Sequence, residues 1–422
     1  MDTFISTWTF LFVGLLTLNA GLRFWLDSRQ MQHVQTHRDH VPQPFQESVD
    51  LASHRKAADY TVAKLRLGTL EMVWGLTCLL GWTLLGGLHH LNQSLLELMG
   101  PGLWQNLALI ACMGLIQSVA DLPLSWWRTF KTETQFGFNR TAPSLWWSDL
   151  VKGWLMSGLL IGPLAAVVIS IMDHSQGLWW LWAWLVWVLF SLLVMVIYPT
   201  WIAPLFNRFE PLNQDDLAHD VSSLMSRCGF QAKGFYVMDG SRRSAHANAY
   251  FTGLGRSKRV VFFDTLLSSL NRAEVMAVLA HELGHFKHGH IPKRMVKLFG
   301  VGLMALALLG YLAEQPWFYM GLGVSPNLEG SNSALALILF ALTAPLVTLP
   351  LAPWMSRQSR TDEFQADAYA SEHTSGADLA NALVKLYKDN ASTLTPDPLY
   401  VRFFYSHPPA TERLQRLTAA AQ

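Results

Sequence analysis

The chain has 422 residues, of which 51% are hydrophobic and 14% charged, with 18 tryptophans and a formal net charge of +1. Half apolar and poor in charge, it is a membrane protein rather than a string of soluble domains. No basic, aromatic-interleaved stretch points to nucleic acid as a partner.

Apolar residues gather into seven blocks, near 4–25, 69–88, 103–122, 154–173, 178–199, 298–313 and 334–355, most of them close to the twenty or so residues of a spanning helix. The first lacks a basic start and carries Arg23 after its apolar run, so it reads as a retained span and not a secretory signal. Segment 28–67 is polar and ends in the helical-looking run Lys56 to Lys64; its His33, His37 and His40 could bind metal, but their irregular spacing favours a solvated surface loop. Glu71 and Asp121 are ionisable groups at membrane depth, facing either a water-filled cavity or the interface by snorkelling. The tryptophans at the span edges, including Trp126, Trp127, Trp146 and Trp147, read as interfacial anchors. Two prolines, Pro199 and Pro204, imply an irregular exit from the fifth block. Cys78, Cys112 and Cys228 have no metal-like spacing and read as packed thiols.

Charge placement tests the span count. Residues 89–102, 174–177 and 314–333 contain no Lys or Arg, and the basic residues fall in or beside the alternate segments. Short translocated loops lose these residues while cytoplasmic ones keep them. The pattern predicts seven helices, the N-terminus outside, and residues 208–297 and the C-terminus in the cytoplasm.

Within 208–297, Leu217, Val221, Leu224, Met225 and Cys228 recur at helical spacing before Gly229. Three β-like runs follow, Gly234 to Met238, Asn248 to Thr252 and Arg259 to Phe263, predicting a small antiparallel sheet. The edge at Asn248 to Phe251, with Asn248 and Tyr250, is a candidate for holding an extended peptide, or else an ordinary packed strand. Asn271 and Glu274 then form a capping-box pattern ahead of Val278-Leu279-Ala280-His281-Glu282-Leu283-Gly284-His285. On a helix, His281 and His285 point to one side and can bind a single zinc ion. Glu282, turned about 100° around the axis, can act as base on a metal-bound water. After the seventh block, Glu363 and Asp367 share a face of another helix. Glu363 can supply the third ligand and Asp367 can hydrogen-bond a ligating histidine, although taken alone this stretch reads as an acidic surface helix.

The segments His281 to His285, Glu363 with Asp367, Ser244 to Phe251, and Ser406-His407-Pro408-Pro409 together resemble the type I CAAX prenyl endopeptidases, integral-membrane zinc metalloproteases. The likeness extends through Gly137-Phe138-Asn139 and Tyr198 to Asn207. It implies a mostly α, polytopic fold with about seven helices around an intramembrane chamber and a small α+β protease module on the cytoplasmic side. It also implies one Zn2+ per chain on His281, His285 and Glu363, with Glu282 activating water and Asp367 an active-site acid, as support or proton donor. His407 and Arg413 match positions near the metal suited to an oxyanion or substrate. His288 and His290 are not used by the family and read as surface or packing residues. The expected division is 1–205 (five spans), 206–297 (zinc module), 298–356 (two spans) and 357–422 (helices completing the site).

The substrates implied are peptides or proteins at the lipid bilayer, with or without a prenyl group. Because the sequence ends Thr418 to Gln422 without a reticulum-retention signal, a bacterial inner membrane is expected rather than the endoplasmic reticulum. The competing classes are a transporter, which needs no metal-activating glutamate, and a non-catalytic binding protein with a structural metal, against which Glu282 argues.

Overall fold

The computed structural model describes residues 2–175, 177–212, 215–230, 234–252 and 259–419. Residues 420–422, part of the C-terminal stretch read above, lie outside them. The first half is helical: α1 (Asp2–Thr36), α2 (Leu51–Trp82), α3 (Gly87–Met99), α4 (Leu103–Trp127), α5 (Pro143–His174), α6 (Trp179–Ile197) and the short α7 (Ala203–Phe206). The middle holds β1 (Phe209–Pro211), α8 (Asp215–Arg227), β2 (Gly234–Met238), β3 (Ala249–Thr252), β4 (Arg259–Phe263), α9 (Asp264–Ser269) and α10 (Arg272–Lys287). The rest comprises α11 (His290–Leu312), α12 (Pro316–Met320), α13 (Ser333–Thr343), α14 (Ala352–His373), α15 (Gly376–Asp389), α16 (Pro398–Phe404) and α17 (Ala410–Ala419).

Five helical stretches are long and apolar enough to cross a membrane, and two bent pairs bring the number to seven. The second and seventh blocks, expected as simple spans, are these bent pairs: α2 turns by 47° into α3, and α13 by 41° into the stretch containing α14. The sixth block is longer than its apolar core suggested, because α11 starts back at His290 and runs 23 residues. Leu155, Leu159, Leu189, Leu193 and Met304 are exposed on these helices, as suits lipid-facing positions in a protein whose polar backbone groups are satisfied within each helix.

Two of the loops lacking Lys and Arg, and Asp173 at the edge of the third, meet at one end of the bundle. There Gln105 donates to Asn92 (2.8 Å) and Asn92 to Asn327 (2.7 Å), while the Ser331 and Ser333 hydroxyls both donate to Asp173 (2.6 and 2.7 Å). At the other end Arg29 pairs with Asp397 (2.9 Å) and Arg243 with Asp149 (2.9 Å), tying spans to segments 206–297 and 357–422.

The sheet differs from the expectation in two respects: β1 adds a fourth strand, antiparallel to β2, and the pairing is mixed. Its order is β1-β2-β4-β3, and β2 pairs with β4 in parallel, so the sheet is mixed. The cause lies in the connection after β2: it leaves the sheet through 239–248, and β3 returns to pair antiparallel with the far side of β4. β3 is thereby an edge strand. A single apolar core joins α8 (Leu217, Val221, Leu224), β4 (Phe262), α10 (Leu279, Leu283), α15 (Leu383) and α17 (Leu414), so the segments before and after α11 and α13 fold as one body. Gly229 ends the α8 run with φ +75°, the left-handed stop its position predicted. The three cysteines are free thiols.

Candidate metal centre

Helix α10 starts on the expected capping box: Asn271 Oδ1 accepts from Glu274 N (3.0 Å) and Glu274 Oε2 accepts from Asn271 N (2.8 Å). Glu274 Oε2 also takes a hydrogen bond from Lys385 Nζ at 2.7 Å, anchoring α10 to α15. Along the helix, Gly284 faces α14 so closely that a Cβ there would lie 2.8 Å from the Ala366 Cα. Only a residue without a side chain permits this approach, and the approach carries Glu363 to the two histidines.

His281, His285 and Glu363 form a set whose ligand atoms all lie within 4.8 Å of one another. The His281 and His285 Nε2 atoms are 3.3 Å apart, and each is 3.4 Å from a Glu363 oxygen. Two ligands bound at about 2.0–2.1 Å to a tetrahedral zinc ion are separated by about 3.4 Å, so the spacing fits such an ion. Glu363 Oε2 is buried and has no hydrogen-bond partner, a costly state that a cation relieves.

Behind this set, His281 Nδ1 contacts Asp367 Oδ1 at 2.9 Å, and Asp367 is gripped on both oxygens by Arg413, at 2.9 Å from Nε and 2.6 Å from Nη2. Burial disfavours a charge on His281, but the neighbouring Asp367 and Glu363 carboxylates outweigh that and hold its pKa at about 9. Burial likewise opposes the charge of Arg413, and the Asp367 carboxylate overcomes it, raising the pKa. Glu282, off the ligand face, has its pKa raised chiefly by burial. Arg413, expected to face substrate, thus spends its guanidinium on Asp367, although it also touches the wall of the chamber.

His407 Nε2 lies 3.4 Å from Glu363 Oε1, beside the set rather than within it. The Ser406 hydroxyl lies 3.0 Å from His407 Nδ1; the side chain is 62% exposed, opening to the cavity, and the surrounding walls desolvate the ring enough to lower its pKa. With Asn248 and Arg413, His407 lines a cavity of about 920 Å³ that extends along Lys64, Glu71 and Arg128. Glu71 is ion-paired with Arg128 and faces that cavity, which resolves its two readings in favour of the cavity. Asp121 instead accepts from Trp74 Nε1 at 3.1 Å. Tyr250, two residues from Asn248 on β3, packs against Phe263 with ring centroids 6.1 Å apart.

Two groups escaped the sequence reading. His290 is buried, and its Nδ1 lies 2.9 Å from His285 Nδ1, with its Nε2 2.9 Å from Gln365 Oε1. Five residues along one helix would have turned it away from His285; Gly289, at φ +64°, breaks the helix and brings it back. The second is His246, whose ring stacks on Phe138 (centroids 4.4 Å apart) and lies 3.7 Å from Glu133 Oε2, while Glu133 accepts from Tyr60 at 2.7 Å. Asn390 Oδ1 accepts from Ala247 N at 3.0 Å, so the approach to Asn248 is tied to two membrane helices and to the end of α15.

Known proteins resemble this chain over most of its length. Residues 30–208 match the family model described as CAAX prenyl protease N-terminal, five membrane helices, and residues 211–421 match peptidase family M48. CAAX prenyl protease 1 of Saccharomyces cerevisiae is 32% identical over 97% of this chain and 95% of its own length. The homologue from Arabidopsis thaliana is 37% identical over 71% of this chain and 70% of its own, and that from Homo sapiens 31% over 75% and 74%. The crystal structure of S. mikatae Ste24p superposes with a TM-score of 0.92 at 30% identity, covering 97% of this chain and 99% of that one. These relatives are eukaryotic, so the expectation of a bacterial inner membrane is not borne out.

Proposed function

We propose a function from one premise: the chain belongs to peptidase family M48, among the CAAX prenyl proteases. It is a multi-pass membrane metalloendopeptidase. The ion is zinc, one per chain, held by His281, His285 and Glu363. The observation that carries this is the set of 3.3 and 3.4 Å separations among the three ligands, with a buried Glu363 oxygen left without a hydrogen bond.

When bound, the ion lowers the pKa of a coordinated water and polarises the scissile carbonyl. The chain's own groups do the rest. Glu282 takes the proton from the attacking water, and burial tunes it upward toward that task. Asp367 orients His281 through Nδ1, and Arg413 fixes Asp367, so Arg413 acts on the metal side rather than directly on substrate. Because the Ser406 hydroxyl can donate to His407 Nδ1, the His407 Nε2 carries a proton to offer the developing oxyanion. The free edge of β3, led by Asn248 and followed by Tyr250, holds the peptide in extended form.

The substrates are the C-terminal CAAX segments that give the relatives their name, with a prenyl chain lodged in the cavity. The protease segments 206–297 and 357–422 face the cytoplasm, framed by the spans 1–205 and 298–356. The test compares wild type with Glu282→Gln in detergent, measuring zinc content and cleavage of matched peptides with and without a prenylated cysteine. Equal zinc with cleavage lost in the variant supports the mechanism; undiminished cleavage in the variant sinks it. Equal turnover of the two peptides removes the prenyl assignment alone.

A further inference from the structure

We infer that His290, backed by Gln365, is a positioning residue for the ligand His285; this rests on the zinc reading above. An imidazole binds a metal through a nitrogen lone pair, so His285 must present Nε2 unprotonated and carry its proton on Nδ1. That Nδ1 lies 2.9 Å from His290 Nδ1, so His285 donates and His290 accepts. The neutral His290 ring then holds its own proton on Nε2, 2.9 Å from Gln365 Oε1, which accepts it. Each shared position holds one hydrogen and one lone pair. Reversing either ring would set two hydrogens or two lone pairs against each other.

Asp362 does not take this role. Its Oδ1 is 3.7 Å from His290 Nε2, beyond hydrogen-bond length, and the carboxylate is engaged by Arg294 and Gln358, each at 3.2 Å. His290 is 2% exposed, so water cannot readily replace it as acceptor. The two ligating histidines are therefore supported differently: His281 by a carboxylate locked to an arginine, His285 by a neutral ring and an amide. Ligands so supported lose metal affinity when the support is removed.

The experiment uses the full chain in detergent and measures zinc affinity by chelator competition, the visible spectrum of the Co(II) form, and the unfolding midpoint of the metal-free protein. For His290→Ala, zinc binding weakened by about 10- to 100-fold is expected, with a changed Co(II) band. For Gln365→Ala, at an exposed position, weakening of about fivefold is expected. A His290→Ala protein that unfolds more readily without metal yet binds zinc as tightly as wild type overturns the inference. Should that variant not fold, unchanged affinity in Gln365→Ala overturns it equally. A wild type that binds no zinc overturns the metal reading and this inference together, whereas zinc-binding wild type with unaffected variants overturns this one alone.

Discussion

Glu282 and Asp367 differ in what their loss should do. Glu282→Gln keeps all three ligands, so zinc content should be unchanged while turnover falls by about 10²- to 10⁴-fold, the usual contribution of a positioned base. Asp367→Ala strips His281 of its partner and takes both hydrogen bonds from Arg413, itself 4% exposed, leaving that buried charge only the more distant Glu363 carboxylate at 3.8 Å. Breaking a buried pair in this way costs about 3–5 kcal/mol, so the unfolding midpoint in detergent should drop along with zinc affinity. At this scale the sequence was legible wherever one helix carries the geometry: His281, Glu282 and His285, and separately Glu363 with Asp367. It was not legible where the partner is remote or the helix breaks. Nothing local reveals that Arg413 clasps a carboxylate 46 residues earlier, or that Gly289 folds His290 beneath His285.

Helices α10 and α14 meet through a single missing side chain. Gly284→Ala should push them apart at Ala366, destabilising the protein by about 1–3 kcal/mol and lowering zinc occupancy, as thermal unfolding and metal analysis would read. The loop leading into β3 depends on Glu133, which accepts from Tyr60 and lies beside His246. Glu133→Ala should therefore raise KM for a peptide substrate by about tenfold while leaving kcat and zinc content near wild type, since the loop touches no metal ligand. Periodicity sufficed to locate β2, β3 and β4 but not the three-residue β1, and it left open whether β3 was an edge. The parallel pairing of β2 with β4 was out of reach, because it is decided by where 239–248 leaves the sheet, and the two bends in the spans were hidden by continuous hydrophobicity.

Across the whole molecule, the protease segments share one apolar core that does not depend on the metal. Chelation should thus abolish cleavage, reversibly on zinc addition, while circular dichroism shows the helices intact. The seven-span arrangement was readable because three loops free of Lys and Arg had to lie together, and polar side chains from two of them, with Asp173 at the edge of the third, do meet at one end. Enclosure of a charged cavity by those spans carries a further consequence. Peptide hydrolysis consumes a molecule that hydrocarbon does not supply, and ionised groups such as Lys64, Glu71 and Arg128 are tolerated only where that molecule is plentiful. The bundle, in this view, is less a scaffold than a reservoir: its charged lining suits water beside the reacting bond, and the prenyl chain proposed for the substrate would share that compartment.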